Sequence, residues 1–413
     1  MSDQKEGELA RNIAPAMLSV YALGTVLGAG IYVVIGKIIG EAGALAPFAF
    51  LVASFAAGLT AFSYAELATR VPESGGSAAF VARGFDTKWL TVSVAWAVIA
   101  TGLVSAATIA TGFVGYLGVF VDVSKWWSIP LLVGSLTIVA AIGIKQSAWF
   151  MGVTTAAGVF GLLYVLWFAL PAAVDYPAAL RSAWSGEGLD QGIGVAILLA
   201  AFLAFYSFIG FEDIVTLSEE TEDQARAVPL AIFVALFVSL LFYVLVALAA
   251  VSVLDPATLN EAEAPLVEVV EARGQPGWLL GGVSLLIIVN GALAQIIMAA
   301  RVVHDLGTRR GGAPSWLSDV NERTKTPILA TVIAGGIVLA LALFFPTASL
   351  ARGTSFIILA VFAVANAALI AIKRRDDDQS GGIRKVPMWV PIGGLTASIA
   401  LMVGQLVLGG GGE

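Results

Sequence analysis

The chain has 413 residues, 59% of them hydrophobic and 12% charged, with a formal net charge of −7 and a mean hydropathy of +0.92. Its charged share is about half that of an ordinary soluble domain, and a water-soluble protein of this length could not hide so much apolar surface in one or two cores. Cys is absent and His304 is the single histidine, which excludes a disulfide framework, a Cys nucleophile and His-Glu-x-x-His metal chemistry.

The apolar residues come in runs of about 20, the length that carries a helix across ~30 Å of hydrocarbon. An all-α polytopic membrane protein is therefore expected, and eleven spans are read in chain order: 13–39, 44–69, 89–118, 127–144, 147–170, 191–217, 228–251, 277–300, 327–345, 354–372 and 387–409. The preceding residues are polar and acidic (Ser2, Asp3, Glu6, Glu8), so residues 1–12 read as a tail and the first span is expected to be retained rather than cleaved. If the N-terminus is cytoplasmic, all of the 22 Lys and Arg except Lys37, Lys125, Arg181, Arg273 and Arg352 fall on or near that side. The positive-inside rule thus predicts an inside N-terminus and, after eleven spans, an outside C-terminus in a cell membrane. Nothing in the charge pattern suggests a nucleic-acid partner, and no cofactor motif is read.

Two spans depart from plain apolar helix. The first carries Gly24-Thr-Val-Leu-Gly28-Ala-Gly30 at its middle; the sixth carries Phe205-Tyr-Ser-Phe-Ile-Gly210-Phe-Glu-Asp, which puts Glu212 and Asp213 at bilayer depth. Each opens a group of five spans, 13–170 and 191–372, with 387–409 left over as an accessory. Five is odd, so the second group crosses in the opposite sense, which is the layout of an inverted repeat with one broken helix in each half.

A helix broken inside the membrane leaves orphan N–H groups at one new end and orphan C=O groups at the other, each costing several kcal/mol unless something satisfies it. Gly28, Ala29 and Gly30 let a ligand approach the backbone closely, and the half-helix that follows, from near Ile31, aims N–H groups at a carboxylate. The break at 207–211 can offer carbonyls to an ammonium group. Together they describe a site for a zwitterionic α-amino acid. Small residues four apart also pack membrane helices; the matching break in the sixth span favours the site. Glu212, at bilayer depth, is a candidate proton carrier or pH sensor, with Asp213 a weaker second. Tyr206 and Phe208 could form an aromatic lid. Thr101 and Ser105 with Thr108 in the third span, and Asn290 in the eighth, are candidates to line a cavity. Ser284 is a candidate sodium ligand, and His304 reads as an interfacial loop residue.

Gly28-Ala-Gly-Ile-Tyr-Val-Val-Ile-Gly36 resembles the first-helix signature of amino acid–polyamine–organocation transporters, in particular the bacterial relatives of the cationic amino acid transporters. Ser207-Phe-Ile-Gly-Phe-Glu-Asp-Ile-Val-Thr-Leu-Ser-Glu-Glu220 with Arg226-Ala-Val-Pro229 is similar to its sixth-helix block. Pro72-Glu-Ser-Gly-Gly-Ser77 and the stretch from Arg301 to Pro327 are similar to two of its cytoplasmic loops. The resemblance implies a LeuT-like fold of five plus five helices and transport of amino acids by alternating access. It assigns the substrate carboxylate to the backbone of Val26, Gly28, Ala29 and Gly30, and the amino group to the carbonyls of Tyr206, Ser207 and Ile209. It makes Tyr206 an aromatic gate and Glu212 the family's acidic residue. Proton-coupled members often carry a Lys in the fifth helix facing the first-helix break; Gly158 stands there. Proton-linked uptake, exchange and sodium symport all remain open. A polyamine or organic-amine transporter of the same fold is the alternative, and a channel is the alternative from another class; no enzyme chemistry is read.

Overall fold

A computed structural model describes residues 14–71, 75–143, 148–185, 192–308, 311–321, 323–324, 326–375 and 385–409. The N-terminal tail, the residues just past Arg375 and the last four residues lie outside that set, as does part of the 70–77 loop.

Every regular element among the described residues is helical. In hydrocarbon no water is available to satisfy a peptide group, so an apolar chain segment that crosses must bond its own N–H and C=O groups. The chain does so in α1 (Pro15–Val26), α2 (Ala29–Ala42), α3 (Ala46–Arg70), α5 (Lys88–Gly118), α6 (Lys125–Ile142), α7 (Ala148–Ala169), α9 (Ile193–Ala204), α10 (Gln224–Val251), α13 (Trp278–Thr308), α15 (Ile328–Phe344), α16 (Thr347–Arg375) and α17 (Trp389–Leu408). Shorter helices connect them: α4 (Gly76–Phe85), α8 (Tyr176–Trp184), α11 (Pro256–Glu261), α12 (Pro265–Glu271) and α14 (Ser315–Ser318). Among the described residues nine helical stretches are long and apolar enough to cross a membrane. The first of them, Pro15–Arg70, runs for 56 residues, and α15 is a shorter apolar helix beside these nine.

The surface inverts the rule for soluble proteins. Large apolar side chains face outward along the helices, as at Leu131 (76% exposed), Phe237 (70%) and Trp167 (78%), which only a lipid solvent tolerates. Tryptophans collect at helix starts, with Trp89, Trp126, Trp127, Trp278 and Trp389 all exposed, as expected of rings that sit at a membrane–water interface.

Inside the bundle, α5 packs along α13 and α16, and α10 lies against α1 and α3. One buried ion cluster ties elements distant in sequence. The fully buried carboxylate of Glu66 on α3 accepts from Arg70 Nε at 2.8 Å, from Lys373 Nζ of α16 at 2.6 Å and from the Val386 N–H before α17 at 2.8 Å. Four oxygen lone pairs thus meet charged and neutral donors, the condition under which a buried carboxylate is tolerable.

Candidate functional site

The first break separates α1 from α2. Leu27 N–H still donates to Leu23 at 2.8 Å, Gly28 turns to φ −65°, ψ −156°, and α2 starts at Ala29 with no side chain capping it. The leading N–H groups of α2 are therefore the orphans expected at a helix start, two residues earlier than the Ile31 expected from sequence. The second break follows α9. A 3₁₀ turn covers Phe205–Phe208, Ile209 is extended, Gly210 adopts φ +120°, and a second 3₁₀ segment runs from Phe211 to Glu220. Only glycine holds that φ without strain. A Cβ there would also come within 3.0 Å of the Thr25 carbonyl. The two breaks touch: a Cβ on Gly30 would lie 3.2 Å from Ser207 Cα, and Thr25 Oγ1 donates to the Gly210 carbonyl at 3.3 Å.

Between the breaks and helices α5, α7 and α13 lies a cavity of about 760 Å³. Val26, Gly28, Ala29, Gly30, Tyr206, Ser207, Ile209 and Glu212 all line it, together with Asp213, Ser105, Asn290 and Gly158. Tyr206 reaches across one wall, its hydroxyl 3.2 Å from Ser105 Oγ and its ring against Gly30. Glu212 folds back so that its carboxylate accepts the Gly210 N–H at 2.9 Å. Among the described residues Ser207 Oγ is buried without a hydrogen-bond partner, and a buried hydroxyl left so calls for one.

Four residues expected at the site stand apart from it; one, Thr108, donates to the Val104 carbonyl at 2.8 Å and does not line the cavity. Phe208, expected as a second lid residue, is fully buried between Phe50 and Tyr243, with ring centroids at 6.4 and 5.2 Å; the 3₁₀ turn advances about 120° per residue, so Phe208 points well away from Tyr206, which takes the cavity side. Thr101 donates to the Ala97 carbonyl at 2.9 Å, and Ser284 to Leu280 at 2.8 Å. Both hydroxyls bond their own helix one turn back, the local option open to any Ser or Thr in a helix, and neither lines the cavity. His304 is tied to the Ser318 carbonyl at 2.7 Å.

One residue escaped the sequence reading. Tyr243, fully buried on α10, places its hydroxyl within hydrogen-bond reach of both the Val26 carbonyl at the first break and the Ser207 carbonyl at the second, the latter at 2.8 Å. From a third helix it offers its one proton to orphan carbonyls of both broken helices. Val26 and Ser207 therefore meet a protein donor, whereas among the described residues no side-chain acceptor caps the N–H groups at the head of α2. The available signal was a lone tyrosine in an apolar span, since a buried phenol seeks an acceptor.

The cavity is one-sided. Its far end is lined by Met17 and Tyr21 of α1, Gly75–Ala78 before and in α4, and Arg301 and Asp305 of α13, the side of the chain's N-terminus. At the opposite end α11 and α12 pack on α2, and the link between them reaches α5. A Cβ on Gly36 would lie 2.2 Å from the Leu259 carbonyl, and one on Gly115 2.2 Å from that of Glu263. Lys37 Nζ donates to the Asn260 carbonyl, and Glu41 pairs with Arg352. On that face Glu268 of α12 is held above the usual carboxylate range by burial and by the neighbouring Glu271.

Comparison with known proteins finds relatives along almost the whole chain. A family model described as amino acid permease matches residues 17–411. An uncharacterized transporter of Mycobacterium bovis is 30% identical over 408 residues, which cover 97% of this chain and 89% of the relative. A branched-chain amino acid permease of Bacillus subtilis is 26% identical over 397 residues, covering 90% and 83%. A mitochondrial cationic amino acid transporter of Arabidopsis thaliana is 26% identical over 393 residues, covering 89% and 63%.

Proposed function

The chain belongs to the amino acid permease family, and on that premise we propose that it is a secondary transporter that moves an amino acid across the cell membrane by alternating access. The observation that carries the reading is the meeting of two interrupted helices in a cavity that opens at one end and is sealed at the other.

The substrate's carboxylate binds the uncapped N–H groups of α2 around Gly28, Ala29 and Gly30, where the helix dipole also favours an anion. Its ammonium group takes the carbonyls of Tyr206 and Ile209, the remaining lone pairs at Ser207, and the Ser207 hydroxyl. Tyr206 acts as the gate. The 56-residue stretch turns at Gly43–Leu45 and makes two crossings, and α15 adds another, for eleven in all. Residues 13–170 and 191–372 form the two inverted repeats of a LeuT-like fold, with 387–409 accessory. With the N-terminus inside and the C-terminus outside, the open end of the cavity faces the cytoplasm, so this conformation is the inward-facing one. Driving force comes from protons, with Glu212 as the coupling group, or from counter-exchange; Ser284 bonds its own helix, which speaks against sodium there.

The test is uptake by proteoliposomes containing the purified protein, under an imposed proton gradient and with internal amino acid. Saturable uptake that decarboxylated analogues fail to inhibit is expected. Inhibition by such amines as effective as by amino acids would remove the carboxylate cradle from the reading, and non-saturable flux would indicate a channel.

A further inference from the structure

The wall facing the two breaks settles what kind of side chain the cavity can receive. At the level of Gly28–Gly30 it includes Ser105 and Ile109 of α5, Thr154 and Gly158 of α7, and Ile287, Asn290 and Gly291 of α13. Their level is set by contact. A Cβ on Gly291 would lie 3.4 Å from Ile109 Cδ1 and 3.5 Å from Ala29 Cβ; one on Gly158 would lie 3.5 Å from Ile287 Cδ1 and 3.8 Å from the Leu27 carbonyl. Two isoleucines flanked by two glycines thus form an apolar recess directly beside the head of α2. The three polar members are engaged by the protein, Ser105 with the Tyr206 hydroxyl at 3.2 Å, Asn290 with Thr154 at 3.2 Å, and Thr154 with the Met151 carbonyl at 3.0 Å.

Charged side chains line the cavity elsewhere. Glu212 and Asp213 follow the second break on its own segment, and the Glu212 carboxylate is turned onto the Gly210 N–H. Arg301 and Asp305 sit at the open mouth, ten and fourteen residues beyond Gly291 and so about 15 and 21 Å away along α13. Among the described residues, α5, α7 and α13 carry no carboxylate on the recess wall.

From this distribution we infer that the substrate is a neutral amino acid with a compact aliphatic side chain, of the size of valine, leucine or isoleucine. The inference rests on the transport site proposed above. A substrate held by its carboxylate and ammonium at the two breaks presents its side chain to Ile109 and Ile287. An aliphatic group there displaces water and gains apolar contact. A lysine or arginine would bring its terminal cation against two isoleucines with no acid to receive it, and a desolvated, unpaired cation binds poorly.

The test is competition on the intact protein in proteoliposomes. Uptake of labelled leucine is measured against unlabelled valine, isoleucine, lysine, arginine and ornithine, with binding followed in parallel by thermal shift of the detergent-purified protein. The branched acids are expected to inhibit, and to stabilise, at concentrations about tenfold or more below those of the basic acids. If lysine or arginine competes as well as leucine, the inference fails while the transport reading stands. If no amino acid is taken up under any gradient or internal substrate, and none shifts the melting temperature, the transport reading itself fails. The Gly291→Val variant, whose added methyls enter the recess, should weaken leucine at least tenfold more than it weakens alanine. Equal losses for both substrates would overturn the placement of the side chain on this wall.

Discussion

Tyr243→Phe isolates the contact that joins the two breaks. The phenol has one proton and faces two buried carbonyls, those of Val26 and Ser207. Its ring packs on Phe50 at 5.5 Å and Phe208 at 5.2 Å, contacts that phenylalanine keeps. The substitution therefore removes one hydrogen bond's worth of satisfaction and leaves both carbonyls without their donor in a dry interior, a loss of about 1–3 kcal/mol. If the paired arrangement of the breaks is the binding-competent one, that loss falls on affinity and raises the KM about 5- to 150-fold. Tyr116→Phe is the matched control: its buried hydroxyl donates to the Tyr32 carbonyl at 2.8 Å, one turn past the first break, and it does not line the cavity. Both variants should melt at lower temperature than the wild type. Only Tyr243→Phe should raise the KM in proteoliposome uptake and shrink the stabilisation that substrate confers. A Tyr243→Phe protein with an unchanged KM and the same melting loss as the control would refute the argument and leave the tyrosine as ordinary packing.

Three further outcomes are expected. Gly210→Ala forces a side chain into φ +120° and to 3.0 Å from the Thr25 carbonyl; backbone strain of about 1–3 kcal/mol at the break should abolish most uptake, and normal initial rates would contradict the conformation described. Glu212→Gln keeps the shape of the side chain but cannot release a proton, so uptake measured from acidic to neutral pH should lose its pH dependence; an unaltered profile removes this residue from coupling. Gly36→Ala places a methyl group 2.2 Å from the Leu259 carbonyl, which the sealed end cannot absorb without lifting α11. Because the chain contains no cysteine, a Ser105→Cys reporter gives a clean readout: membrane-impermeant thiol reagents applied from the sealed face should label it faster in the Gly36→Ala background, and equal labelling would mean that this packing is not the seal.

Much of the membrane architecture could be read along the chain. The apolar runs, the breaks at Gly28–Gly30 and Ser207–Phe211, and the separation of the helices by charged loops are all one-dimensional. Each follows from the cost of exposing a peptide group or a charge to hydrocarbon, and that cost is local. The same locality explains what was missed. Thr101, Ser105 and Ser284 look alike in sequence, yet Ser105 meets Tyr206 whereas the other two bond their own helices. Which partner a hydroxyl finds depends on the angle and depth at which a neighbouring helix passes. Tyr206 and Phe208 stand two residues apart on a 3₁₀ turn and meet different surroundings, Ser105 for one and Phe50 with Tyr243 for the other. Hydropathy cannot register that winding. Tyr243 gained its role only when α10 came to lie against both breaks, 217 residues from Val26 and 36 from Ser207. The direction in which the cavity opens was likewise decided by packing, since the fit of the 256–271 segment onto Gly36 and Gly115 is a property of surfaces brought together by the whole bundle. Composition and glycine placement therefore determined that this chain lies in a membrane and where its helices can part; close packing of distant helices decided what those openings face.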